Sequence, residues 1–149
     1  MFRGQFQHSI DSKGRVSFPA RFREVLEERG DTRLVITPAL FDPCLHVYPL
    51  KEWEAFETKI SELPSMDRNI VRFRRLYISP ALDADLDKAG RIRVGAEFRT
   101  KAELDKDALW AGMGRILELW SKPRFESELL MTEEETEDFQ ASVQELIRV

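Results

Sequence analysis

Residues 11–23, Asp11-Ser12-Lys13-Gly14-Arg15-Val16-Ser17-Phe18-Pro19-Ala20-Arg21-Phe22-Arg23, return without a gap as residues 87–99, Asp87-Lys88-Ala89-Gly90-Arg91-Ile92-Arg93-Val94-Gly95-Ala96-Glu97-Phe98-Arg99. Six of the thirteen positions are identical and two more are apolar in both, at an offset of 76. Downstream, Cys44-Leu45-His46-Val47-Tyr48 resembles Ile116-Leu117-Glu118-Leu119-Trp120 at an offset of 72. Self-similarity of this kind marks a repeated supersecondary unit. Two copies of one unit, each of about 50 residues, organise the chain.

Each copy reads the same way. Alternation at Phe2, Gly4, Phe6, His8 and Ile10 predicts a half-buried strand. Asp11 to Gly14 is a turn, because Asp accepts from the backbone ahead of it and Gly tolerates positive φ. Arg15 to Phe18 returns as a strand with Val16 and Phe18 on one face. Pro19 then opens a short helix, Ala20 to Arg29, with Phe22, Val25 and Leu26 inside. Two further strands, Leu34 to Thr37 and Leu45 to Tyr48, complete a β-turn-β-α-β-β unit. Such a unit cannot bury both faces of its strands alone, so the two copies must pack on each other.

The expected organisation is a first unit at 5–52, a helical connector at 53–80, a second unit at 81–124 and an acidic helical segment at 125–149. In the connector, Trp53, Phe56, Ile60 and Leu63 form an apolar stripe that ends at Pro64. A second helix, from Met66 to about Ile78, sets Met66, Ile70, Phe73 and Tyr77 against Arg68, Arg72 and Arg75. That arginine stripe is either a solvated face or a phosphate or subunit contact. Phe125 and Leu129 match the Trp53 helix. Thr132 to Glu135 is a capping box, followed by an apolar stripe of Phe139, Val143, Leu146 and Ile147.

Charge is unevenly spread. The 149 residues carry a net −4, yet residues 126–149 alone hold −7, which leaves +3 on residues 1–125. A polyanionic partner is therefore open to the first part of the chain, since counterion release depends on the contact face. With 42% hydrophobic residues the chain is too apolar for disorder. Its single Cys excludes an internal disulfide and suits a reducing cytosol. No apolar run is long enough for a membrane span, and no signal-peptide stretch opens the chain, so no membrane partner is expected.

Catalytic chemistry is thin. Cys44 and His46 fall on one face of a strand, but zinc wants three or four ligands and no second Cys exists. They read as a core Cys beside a satisfied His. Asp83, Asp85 and Asp87 lack the Gly and the distal Glu of a calcium loop. Gly112-Met113-Gly114 lacks the rest of a phosphate-cradling loop. No enzyme, no cofactor and no metal are expected.

The paired Asp-x-x-x-Arg turns, Asp11 with Arg15 and Asp87 with Arg91, resemble those of the MraZ family of bacterial transcriptional regulators. So do Met-Phe-Arg-Gly at the start, Phe6 to Arg15, Pro19 to Arg23, Cys44 to Pro49 and Glu52-Trp53. The resemblance runs from residue 1 to about 125. It implies an α+β fold with a mainly β core: two tandem SpoVT/AbrB-like swapped-hairpin units forming an intrachain pseudo-dimer with peripheral helices. It also implies a ring-shaped homo-oligomer of about eight or more subunits. The implied activity is binding of double-stranded DNA at the chain's own promoter, through short G-rich direct repeats, with repression of its operon in the division and cell-wall cluster. The implied location is cytoplasmic and nucleoid-associated.

A two-stranded ribbon fits the major groove with its turn leading. The expected DNA contacts are Arg3, Lys13, Gly14 and Arg15, with Arg15 reading guanine or else pairing within the loop to Asp11. Asp11, Asp87, Gly90 and Arg91 form the turn motif, structural or a secondary DNA contact. Lys13 becomes Ala89 and Pro19 becomes Gly95 in the second copy, which predicts that the first turn faces DNA and the second supports fold and ring. Competing readings are an antitoxin-like protein of the same fold, and a purely structural ring.

Overall fold

The structure, a computed structural model, describes residues 1–148. Its elements in chain order are β1 (Gln5–Ser9), β2 (Arg15–Ser17), α1 (Ala20–Glu28), β3 (Leu34–Pro38), β4 (Cys44–Pro49), α2 (Leu50–Ser61) and α3 (Arg68–Phe73). α3 runs into a π-helical turn at Arg74–Ile78. β5 (Leu82–Ala84), β6 (Arg91–Arg93), α4 (Ala96–Lys101), β7 (Asp107–Gly112), β8 (Leu117–Ser121), α5 (Lys122–Glu128) and α6 (Glu133–Ile147) follow. The class is α+β with a mainly antiparallel β core.

The two units interleave. A six-stranded antiparallel sheet has the order β1-β7-β8-β4-β3-β5. The first strand of each unit thus pairs with the last hairpin of the other: β1 with β7, and β5 with β3. The seam between the two halves is β4 against β8, where His46 lies opposite Glu118. The remaining strands, β2 and β6, pair with each other as a separate two-stranded ribbon. The local turn signal suggests that β2 folds back along β1, but only the bridge between Ile10 and Val16 joins them. Pairing with β6 instead brings Val16 and Ile92, both essentially inaccessible, into one shared core.

Alternation assigns the two faces of the large sheet. Leu34, Ile36, Leu45, Val47, Trp110, Leu117 and Leu119 point into the main core, which the ribbon, α1 and α4 close with Phe18, Phe22, Val94 and Phe98. Trp110 anchors the ribbon to this sheet: its indole Nε1–H donates to the Ser17 carbonyl at 2.9 Å, and its ring meets Phe18 edge-on. On the other face, Val35, Tyr48, Trp53 and Tyr77 form a second cluster beneath α2 and the π-helical turn. Cys44, Leu109, Ala111, Trp120 and Phe125 form a third beneath α5.

Three helical expectations shift. The second connector helix begins at Arg68 rather than Met66, because the Asp67 carboxylate caps it by accepting from the amides of Asn69 and Ile70. Met66 is left outside and exposed. Leu63 lies past the end of α2, two residues beyond Ser61. The capping box at Thr132 forms as read, but α6 buries no residue, and Phe139, Leu146 and Ile147 all stand exposed.

Candidate nucleic-acid interface

The β2–β6 ribbon has one face inside and one outside. Val16 and Ile92 turn inward, so Arg15 and Ser17 on β2 and Arg91 and Arg93 on β6 turn outward. In register, Arg15 lies opposite Arg93 and Ser17 opposite Arg91. The Asp11 and Asp87 turns precede β2 and β6, and antiparallel pairing sets them at opposite ends of the ribbon. Ribbon and turns together hold five cations (Lys13, Arg15, Lys88, Arg91, Arg93) against two aspartates.

Both turns are built alike. Asp11 Oδ1 accepts from the amides of Lys13 and Arg15, each at 2.9 Å, while Oδ2 accepts from Arg15 Nε at 2.6 Å. Asp87 repeats this with Ala89, Arg91 and Arg91 Nε at 2.9, 2.9 and 3.0 Å. The amide of Arg15, helped by its guanidinium, holds the Asp11 carboxyl down at about 2. The amide of Arg91 lowers Asp87 in the same way. Since Nε carries each ion pair, the two terminal nitrogens of Arg15 and Arg91 are spared from it. The intraloop pair and an outward-facing fork thus coexist in one side chain.

Each turn is also clasped by the other unit. The Gly14 carbonyl accepts from Val94 N–H at 2.7 Å, and the Gly90 carbonyl accepts from Phe18 N–H at 2.9 Å. Gly14 has φ +82°, and a β-carbon there would collide with the Val94 carbonyl oxygen and the Arg99 guanidinium. Gly90, at φ +75°, is covered by Arg23 in the equivalent way. At Gly14 backbone blocks a side chain, whereas at Gly90 the left-handed backbone is the main demand and the Arg23 side chain could move aside.

Among the expected contacts, Lys13, Gly14 and Arg15 come together with Asp11, and Asp87, Gly90 and Arg91 gather at the other end. Arg3 does not join them. It precedes β1 beside Gly112, the far end of that strand from the Asp11 turn. Two residues escaped the sequence reading. Arg93 aligns with Ser17 in the repeat, so comparing copies passed over it; it faces outward and donates from Nε to the Lys13 carbonyl at 3.3 Å. Lys88 aligns with Ser12, and supplies the second turn with a cation one place earlier than Lys13 does in the first.

A second polar cluster sits on the opposite face of the large sheet. His46 Nε2 and Glu118 Oε2 are 3.4 Å apart, His46 Nδ1 is 2.6 Å from the Tyr77 hydroxyl, and Trp120 Nε1 donates to Glu118 Oε1 at 2.9 Å. Buried Cys44 lies beside them, its thiol pushed up by burial and by the Glu118 carboxylate. Glu118 is 72 positions from His46, so strand periodicity alone could not bring it here.

Compared with known proteins, the chain matches a family model described as "MraZ protein, putative antitoxin-like" twice, over residues 1–76 and 77–147. A "Transcriptional regulator MraZ" of Pediococcus pentosaceus is 43% identical over 138 residues, 93% of each chain. Its namesake from Halothermothrix orenii is 40% identical over 146 residues, 98% of this chain and 99% of the relative. A third, from Azotobacter vinelandii, is 45% identical over 122 residues, 82% of this chain and 80% of the relative.

Proposed function

The chain belongs to the MraZ family, and from that premise we propose that it is a sequence-specific DNA-binding transcriptional regulator. It represses its own operon, in the division and cell-wall gene cluster, by binding short G-rich direct repeats in the upstream duplex. It acts in the cytoplasm, associated with the nucleoid. The observation that carries this reading is the outward face of the β2–β6 ribbon, with three arginines and a lysine-bearing turn at each end. Strands about 5 Å apart form a ribbon narrow enough for a major groove about 12 Å wide.

In this reading Arg15 and Arg91 present their free terminal nitrogens to guanine O6 and N7, while Nε stays on its aspartate. Bidentate recognition of guanine by Arg suits a G-rich target. Gly14 and Gly90 let the backbone approach, and Lys13, Lys88 and Arg93 take phosphates. Arg3, at the far end of β1, is at most a separate phosphate contact. The two turns share the ribbon, so both engage DNA.

Repeated boxes call for repeated readers. We read exposed Phe139, Leu146 and Ile147 on α6 as surface for assembling a ring of about eight or more copies. A ring would bind adjacent boxes through effective concentration. The test is a gel shift with the chain's own upstream DNA against scrambled DNA. Specific binding by the native chain, lost in Arg15→Ala with the oligomer intact, supports the regulator. Equal retention of both DNAs leaves a structural ring.

A further inference from the structure

Among the described residues, one place gathers three metal-ligating side chains: Cys44, His46 and Glu118, whose donor atoms all lie within 4.8 Å of one another. Cys44 and His46 alternate on β4, and Glu118 comes from β8 directly opposite His46. The cluster therefore straddles the seam where the two units meet. It is on the sheet face away from the arginine ribbon.

The geometry points to a binding site here for a divalent d-block cation of the zinc type, held by Cys44 Sγ, His46 Nε2 and Glu118 Oε2. Several independent features converge on it. A nitrogen and an oxygen each about 2.0–2.1 Å from a tetrahedral ion stand roughly 3.3–3.4 Å apart; His46 Nε2 and Glu118 Oε2 are at 3.4 Å. That spacing is long for a charge-assisted hydrogen bond, which closes to about 2.7–2.9 Å.

The supporting contacts are those a metal site requires. His46 Nδ1 is engaged by the Tyr77 hydroxyl at 2.6 Å, which orients the ring and leaves Nε2 for the ion. Tyr77 is held in turn by Tyr48, hydroxyl to hydroxyl at 2.6 Å. Glu118 Oε1 takes the Trp120 indole N–H, so Oε2 is the oxygen left over. Glu118 has only a 12% exposed side chain, and among the described residues neither Lys nor Arg pairs with it. With the site empty, hydrogen bonds from His46, Trp120 and Cys44 stabilise that carboxylate against its burial, and an ion would take the place of the first and last of them.

Coordination converts the Cys44 thiol to thiolate, its proton passing to solvent, and one carboxylate plus one thiolate then balance the two charges of the ion. Three protein ligands leave a fourth position for water. A cleft of about 200 Å³ lined by Leu40, Phe41, Asp42, Tyr48 and Tyr77 opens onto His46, one of the three ligands. The ion would bind β4 of the first unit to β8 of the second.

The test is titration of the untagged, reduced full-length protein with Co2+, followed by displacement with Zn2+. The expected result is one Co2+ per chain, visible ligand-field bands, a thiolate-to-cobalt charge-transfer band, and loss of these bands with Zn2+. Cys44→Ser should abolish the charge-transfer band, and Glu118→Gln should weaken Co2+ binding. Tyr77→Phe, which keeps every ligand, should lower affinity about 10–100-fold. A native protein that shows no charge-transfer band overturns the site. So does a folded Cys44→Ser or Glu118→Gln variant that binds Co2+ as the native chain does. DNA binding enters neither outcome, so the regulator reading stands or falls separately.

Discussion

Arg15 of β2 stands directly opposite Arg93 of β6, two cations facing one another across a three-residue ladder. Like charges at opposed positions of a sheet are destabilising, by roughly 0.2–1 kcal/mol on the scale of cross-strand pairs. A pairing that costs stability and faces outward is suited to an anion that neutralises both. Arg93→Thr should therefore raise the urea midpoint slightly while weakening DNA binding. The salt dependence of binding should fall by about one phosphate contact. Loss of both stability and binding would instead mean that Arg93 serves the fold.

The two turns should prove equivalent in DNA binding. Arg15→Ala and Arg91→Ala are each expected to cost about 1–3 kcal/mol of specific affinity, with Lys13→Ala and Lys88→Ala costing less. Fluorescence anisotropy at matched salt, with mass checked by light scattering, makes the comparison. Full affinity in a folded Arg91→Ala protein would restore the asymmetric reading, in which the second turn only supports the structure.

Acid should loosen the turns. The folded Asp11 carboxyl lies at about 2, below its ordinary 3.8, and Asp87 is lowered in the same direction. A depressed carboxyl contributes stability that is fully present above the unfolded value and lost as pH falls through the folded one. The window for Asp11 is therefore between about pH 4 and pH 2. Asp11→Asn should flatten the fall of the denaturation midpoint across that window and leave its pH dependence near neutrality unchanged.

Gly14 and Gly30 both have positive φ, +82° and +74°, but differ in their surroundings. Nothing approaches a β-carbon at Gly30, so Gly30→Ala should cost only the left-handed backbone, about 1–2 kcal/mol. Gly14→Ala adds a collision with the Val94 carbonyl oxygen and should cost clearly more. Urea unfolding of the two variants gives the difference directly. Equal costs would mean that the Asp11 turn moves away from β6 freely.

The repeat made most of the architecture legible. Its alignment defined two like units, and alternation put Val16 and Phe18 on one face, which the structure turns into the core. It could not say which strands pair. A β1–β2 hairpin and the observed β2–β6 ribbon bury the same residues, and the choice depends on contacts some 76 positions apart. The meeting of His46 with Glu118 was hidden for a related reason. They occupy matching positions in the two copies, and matching positions touch only beside the axis that relates the copies. Arg93 has no arginine counterpart, so self-comparison was blind to it. On α6, periodicity revealed an apolar face but not what covers it.

The exchange of first strands also governs how the protein comes into being. While the ribosome is still making the second unit, β1 has no β7 to join and β3 has no β5. The nascent first half thus emerges with β1, β2, β3 and β4 all waiting for a partner strand of the second unit, a state prone to capture by chaperones or by neighbouring nascent chains. Translation must pass Gly112 before the whole of β7 is there for β1, so a strand made among the first waits for one made late. A truncated product that carries the first unit alone leaves all of these edges uncovered unless a second like unit supplies the missing strands.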